Sequence, residues 1–165
     1  MNILITWSSW FIWYHVAKKL LEQGQSIIGI DNENDYYDIT LKQARRKELQ
    51  KFSNFSFYCL SLEHLPDMQK LFTDHVIDKV IHLAAQAWVR YSLVNPYSYI
   101  QTNIVWFHNI IELSKQHNIK NFVYASSASV YGNNKKMPFA VGDKTDEPLS
   151  LYGATKKSNE LIAYA

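Results

Sequence analysis

The chain has 165 residues, 47% of them hydrophobic and 19% charged, enough for one domain with a real core and too apolar for a disordered chain. Its formal charge of +2 is nearly balanced, and the basic residues are scattered along helical stretches, which excludes a nucleic-acid-binding stripe. The single cysteine, Cys59, makes no internal disulfide, which fits a reducing compartment and equally a buried core thiol. The apolar N-terminus lacks a leading positive region and is broken by Thr6, Ser8, Ser9 and His15. Neither a signal peptide nor a membrane span is expected, and the expected location is the cytoplasm.

Residues 2–13, NILITWSSWFIW, set the pattern for the rest. Ile3, Leu4 and Ile5 make a run too short and too β-rich for a helix, whereas Phe11, Ile12, Val16 and Leu20 recur at helical spacing. That is the strand, turn and helix of a nucleotide-binding fold. A dinucleotide's pyrophosphate approaches the backbone at such a turn and sits on the helix N-terminus, so glycines belong there. The positions hold Trp7, Trp10 and Trp13 instead. Gly24 is the expected C-cap of this helix. Ser26 to Asp31 (SIIGID) follows as a second buried strand ending in an acid. A carboxylate there accepts hydrogen bonds from an adenosine ribose and repels a 2′-phosphate, so Asp31 favours NAD over NADP; the other reading is a solvated acid in a turn.

Residues 39–52 have the pattern of an amphipathic surface helix whose basic residues form a solvated face. A third strand is expected over Phe55 to Leu60, a helix over Leu62 to Phe72, and a fourth strand over Lys79 to Leu83 running into Ala84, Ala85 and Gln86. A long helix is expected over Pro96 to Gln116 with Ile100, Ile104, Phe107 and Ile111 on one side, closed by Asn118. Asn121 to Ser126 is the fifth strand, and a final helix starts near Leu149 to Tyr152. This alternation predicts an α/β, Rossmann-like, doubly wound parallel sheet of order 3-2-1-4-5. The chain stops at Leu161 to Ala165 within an apolar helical pattern that has no cap. The expectation is therefore an incomplete domain over residues 1–165, lacking the last strands and a substrate-binding part and inactive by itself. The histidines show no metal-ligand spacing, so no metal is expected, and His82 in the fourth strand is expected to be buried.

The chemistry lies in Ser126-Ser127-Ala128-Ser129-Val130-Tyr131-Gly132 and, further on, Tyr152-Gly153-Ala154-Thr155-Lys156. Tyr-x-x-x-Lys occurs three times, at Tyr14/Lys18, Tyr131/Lys135 and Tyr152/Lys156. Only Tyr152 opens a helix after a strand that ends in serines, and residues four apart on a helix share a face. An ammonium there favours an ionised phenol, which general acid–base work near neutrality requires. Ser127 would hydrogen-bond a substrate oxygen rather than act as a nucleophile.

The stretches DNENDYYD, HLAAQAWVRYSLVNP, NFVYASSASVYG and EPLSLYGATKKSNEL resemble segments of the UDP-glucuronate 4-epimerases. The first turn resembles the TGxxGFIG fingerprint of the extended short-chain dehydrogenase/reductase family, with Thr6, Phe11 and Ile12 in place. The resemblance implies NAD as cofactor, a UDP-hexuronic acid or related UDP-sugar as substrate, and a homodimer in the full-length form. It implies Ser127, Tyr152 and Lys156 as catalytic residues. Cofactor contacts would come from Thr6, Trp7, Trp10, Phe11, Ile12 and Trp13 at the turn, with Asp31 and Asn32 on the ribose. Ser61 and Leu62 would lie near the adenine, Ser61 standing where the family usually carries an aspartate. Ala84, Ala85 and Gln86 would line the cofactor, Tyr152 and Lys156 would also touch it, and Asn103 would support the site. Ser127 and Ser129 would face the substrate. Arg90 would meet its uronate or phosphate, or else make a structural ion pair. A related activity, dehydration of a sugar nucleotide, needs an Asp-Glu pair after the catalytic hydroxyl, where this chain has Ala128 and Ser129.

All five tryptophans, Trp7, Trp10, Trp13, Trp88 and Trp106, fall where the resembled pattern carries glycine. Two readings stay open. Either the source reads UGA as glycine and the native residues are glycines, or the tryptophans are native and the domain is a cofactor-less module that presents them to a membrane surface or partner protein.

Overall fold

The computed structural model describes residues 1–36 and 38–165; Tyr37, within the DNENDYYD stretch, lies outside the described residues. The chain forms two compact units, Met1–Leu83 with Glu112–Tyr124, and Ala84–Ile111 with Ala125–Ala165.

The first unit holds the whole sheet. Strands β1 (Asn2–Thr6), β2 (Ser26–Asp31), β3 (Phe55–Cys59), β4 (Lys79–His82) and β5 (Asn121–Tyr124) pair in parallel in the order β3-β2-β1-β4-β5. The predicted order is thus the observed one, with the third, fourth and fifth strands ending one or two residues early. Alternation along β1 sends Ile3 and Ile5 into a core with Ala17, Leu21, Ile27 and Leu49, while Leu4, facing the other way, is also fully buried. A strand buried on both faces is what a parallel sheet covered by helices demands. The order reverses between β1 and β4, the switch point at which open α/β sheets hold their ligands.

Helix α1 (Phe11–Glu22) is capped by Gln23, one residue before the expected Gly24, and Gly24 follows at φ +77° with its N–H bonded to the Leu21 carbonyl at 2.9 Å. Its buried stripe differs from the expected one. Ala17 and Leu21 are buried, whereas Phe11 and Ile12 are 58% and 55% exposed, because at 3.6 residues per turn they fall on the side opposite Ala17. Helix α2 (Ile39–Leu49) starts at Asp38, whose carboxylate accepts from Thr40 N–H at 2.8 Å. Its basic face is not wholly solvated as expected: Lys42 is buried. Helix α3 (Leu65–Asp74) buries Met68, Leu71 and Phe72. Cys59 lies exposed on β3 and is not a core thiol.

The expected long helix is three segments: α4 (Pro96–Ile100), a π-helical stretch (Gln101–Trp106) and α5 (Phe107–Gln116). Tyr99, Thr102, Asn103, Trp106 and Phe107 are buried, while Ile100, expected on the inner side, is 45% exposed. Wider π turns shift the phase of everything upstream, and such turns mark functional stretches. Asn118 closes α5 as expected, at φ +56°, with Ile119 N–H on the Ser114 carbonyl at 2.8 Å. Helix α6 (Leu151–Tyr164) is capped by Ser150, whose hydroxyl oxygen accepts from Gly153 N–H at 3.0 Å. No helix among the described residues is long and apolar enough to cross a membrane.

Candidate active site

In the first unit the β1–α1 turn and the end of β2 form one hydrogen-bonded group. Thr6 is fully buried; its hydroxyl accepts from Leu83 N–H at 3.1 Å and meets Nδ1 of the buried His82 at 3.2 Å, tying the ends of β1 and β4 together. Ser8 N–H reaches the Ile30 carbonyl at 3.1 Å. Asp31, 2% exposed, accepts from Ser9 N–H at 3.2 Å and Glu33 N–H at 2.8 Å.

Lys42 Nζ stands 4.0 Å from the Asp31 carboxylate and donates to the carbonyl and the side-chain oxygen of Asn34, both at 2.9 Å. Burial pushes the Asp31 carboxyl above its usual range, opposed by the Glu33 hydrogen bond and the Lys42 charge. Burial likewise pulls the Lys42 ammonium down, opposed by Asp31. Nothing local marks this partner, since a lysine in a charged helix has the signature of a solvated one.

Other predicted dinucleotide contacts belong to the same unit. The rings of Trp7 and Trp10 lie 5.6 Å apart, with Lys42 Nζ 5.6 Å from the Trp10 ring centre. Phe11 carries Arg45 over its face, Ile12 is exposed and Trp13 half-buried. Asn32 accepts from Asn34 N–H at 3.3 Å, Ser61 from Glu63 N–H at 3.3 Å, and Leu62 is buried.

In the second unit a different set converges. Asn103, 1% exposed, accepts from Gln86 N–H at 2.7 Å and donates to the Gln86 carbonyl at 3.1 Å and to Thr155 Oγ1 at 3.0 Å. Its own carbonyl accepts from Asn159 Nδ2 at 2.5 Å. These bonds tie the π-helical stretch to α6 and to the Ala84-Ala85-Gln86 segment, in which Ala84 and Gln86 are buried and Ala85 half-buried. Tyr99 donates its hydroxyl to the carbonyls of Ala87 and Trp88 and packs edge-on against Tyr152 at 6.2 Å. Sequence reasoning missed Tyr99, Thr155 and Asn159; only the helix-capping Ser150 carried a local signal.

Ser127 has extended backbone and caps the 3-10 turn Ala128–Tyr131, its hydroxyl oxygen accepting from Ser129 N–H at 3.2 Å. That bond orients the hydroxyl and leaves its proton free to be donated. Gly153 in the first turn of α6 lets the helix approach this turn: a β-carbon there would stand 2.7 Å from the Ser129 carbonyl. Tyr152 is half-buried and Lys156, one turn on, is 3% exposed. Burial lowers the Lys156 amine to about 8, with the charge of Glu160 acting in the opposite sense. Arg90 is exposed at the start of the 3-10 turn Arg90–Leu93 and forms no ion pair among the described residues. Nor does any cluster of three His, Cys, Asp or Glu among them suit a metal ion.

A lysine that ionises at about 8 when folded and at its ordinary 10.5 when unfolded binds fewer protons in the native state between those values. Stability should therefore rise with pH from about 8 to 10.5, by roughly 3 kcal/mol from this group. Lys156→Met should flatten that rise and be the more stable form at neutral pH. Denaturant unfolding at pH 7.5 and 10 compares the two; equal slopes would refute the buried charge.

A parallel 3-2-1-4-5 sheet with a helix N-terminus after its first strand, carried with a Tyr-x-x-x-Lys pair on a helix, defines the class: a Rossmann-like domain of the short-chain dehydrogenase/reductase type. Residues 4–165 match the family described as GDP-mannose 4,6 dehydratase, and the chain belongs to that family. It is 53% identical over 164 residues to Protein CapI of Staphylococcus aureus, covering 99% of this chain and 49% of that protein. It is 43% identical over 161 residues to the UDP-glucuronate 4-epimerase of Thermodesulfobacterium geofontis, covering 98% and 50%. The solved UDP-glucuronic acid 4-epimerase from Bacillus cereus, in complex with UDP-glucuronic acid and NAD, matches with a TM-score of 0.88 at 33% identity, covering 99% of this chain and 51% of that one. The chain thus spans about half the length of the curated relatives it matches.

Proposed function

We propose that the whole protein is an NAD-dependent UDP-sugar 4-epimerase that interconverts UDP-glucuronate and UDP-galacturonate through a transient 4-keto sugar, as a cytoplasmic homodimer. The observation that carries this reading is Lys156, buried one helical turn after Tyr152 with its amine lowered to about 8. The named epimerases among the relatives support it. Exposed apolar side chains of the second unit, among them Leu93, Tyr97 and Tyr164 at 82%, 84% and 94% exposure, support self-association.

The fit to NAD is divided in the chain as written. A carboxylate at the end of β2 and a helix N-terminus after β1 suit a ribose and a pyrophosphate. The indoles of Trp7 and Trp10 do not, because they crowd the turn where a phosphate would meet backbone N–H groups. When bound, NAD supplies the acceptor and donor of a hydride.

The remaining chemistry belongs to the chain's own residues. Tyr152 Oη takes the C4 hydroxyl proton and returns it. Lys156, charged at neutral pH, favours the phenolate that this requires. Ser127 donates its free proton to the same oxygen and holds it in place. Elimination of water would need a carboxylic acid beside Ser127, and Ala128 and Ser129 supply none, so epimerisation is favoured over dehydration; Ser129 is left to hydrogen-bond a uronate. Full-length protein given UDP-glucuronate is expected to yield UDP-galacturonate. Formation of a dehydrated keto sugar, or no turnover, would overturn the reading.

A further inference from the structure

The five tryptophans carry three kinds of fault: left-handed backbone at Trp7 and Trp88, a large side chain at a helix N-cap at Trp10, and an unpaired buried indole N–H at Trp13 and Trp106. Trp7 and Trp88 have φ of +56° and +78°, in the left-handed region that bulky residues avoid and glycine enters freely. Trp88 gains little for it, being 61% exposed. The indole N–H groups of Trp13 and Trp106 are buried without an acceptor among the described residues, whereas buried indoles ordinarily find one. Trp10 is the N-cap of α1, with extended backbone and no side-chain cap bond; glycine is favoured at that position and large side chains are not.

The composition points the same way. Glycine makes up 5 of 165 residues, about 3% against an average near 7%; ten would be about 6%. Chance does not readily set two of a chain's five tryptophans on left-handed backbone, a third at a helix N-cap and the other two with orphaned indoles. One mechanism does: UGA specifies tryptophan in one variant genetic code and glycine in another.

We propose that the native residue at positions 7, 10, 13, 88 and 106 is glycine, encoded by UGA. The β1–α1 turn is then an open backbone cradle, with the N–H groups of its helix N-terminus uncovered for an anion. The residue assignment stands on backbone, burial and composition; that the anion is a dinucleotide's pyrophosphate rests on the function proposed above.

The test uses the gene and the protein from its source organism. UGA at all five codons, with peptide masses that show hydrogen in place of an indolylmethyl group at each position, is the expected result. A single UGG codon, or peptides that carry tryptophan, would overturn the assignment. The full-length chain is then prepared in its five-tryptophan and five-glycine forms. The glycine form should bind NAD on the order of a hundredfold more tightly. With glycine proved by mass, failure of that form to bind NAD overturns the cofactor reading and leaves the assignment standing.

Discussion

Tyr152→Phe in the full-length protein is expected to lower kcat by about 10²- to 10⁴-fold, the range that a positioned proton-transfer group contributes. The substitution removes one hydroxyl and keeps the ring that packs edge-on against Tyr99, so folding should be unchanged and substrate binding little affected. Steady-state kinetics with UDP-glucuronate, with thermal unfolding as the control, would check it. A Phe variant that retains a tenth or more of the turnover would remove Tyr152 from the proton step. A comparable loss from Tyr14→Phe or Tyr131→Phe with Tyr152→Phe near full turnover would move the proton step to that tyrosine. The three pairs differ in burial: Lys156 is buried, Lys18 half-buried and Lys135 exposed.

Asn103→Leu should destabilise the protein by about 3 kcal/mol or more, since it strands both backbone groups of Gln86 and each unpaired buried group costs about 1–3 kcal/mol. The side chains are of similar size, so the effect reports hydrogen bonds rather than a cavity. Asn159→Leu, which strands one carbonyl, that of Asn103, should cost about 1 kcal/mol. The two residues share one network, so their effects should couple in a double-mutant cycle of denaturant midpoints. Additive losses would mean that Asn103 and Asn159 act independently, and a loss below 1 kcal/mol for Asn103→Leu would mean that water replaces its bonds.

Much of the fold was legible because strand and helix periods are local properties. Ile3 to Ile5, Ser26 to Asp31 and the apolar run at Val80 announce strands by their own composition, and the helices between them force parallel pairing. The left-handed residues that follow α1 and α5, Gly24 and Asn118, were equally local. Which side of a helix is buried was not local: Phe11, Ile12 and Ile100 are apolar at helical spacing yet exposed, because the phase is fixed by the surface each helix meets and, for Ile100, by the π turns that follow it.

The candidate site divides in the same way. By itself the sequence determined the parallel strand order, the acid at the end of β2 and the serine, tyrosine and lysine spaced as one set, since each rests on pattern along the chain. Only the tertiary structure decided that Lys42 is the buried counter-ion of Asp31 and that Asn103 and Asn159 clamp α6 to the π-helical stretch. It alone showed that Trp7 and Trp88 take left-handed backbone. The reason is physical: a charge, an amide or a backbone angle takes its meaning from neighbours distant in the sequence, and no local pattern records which neighbours those are.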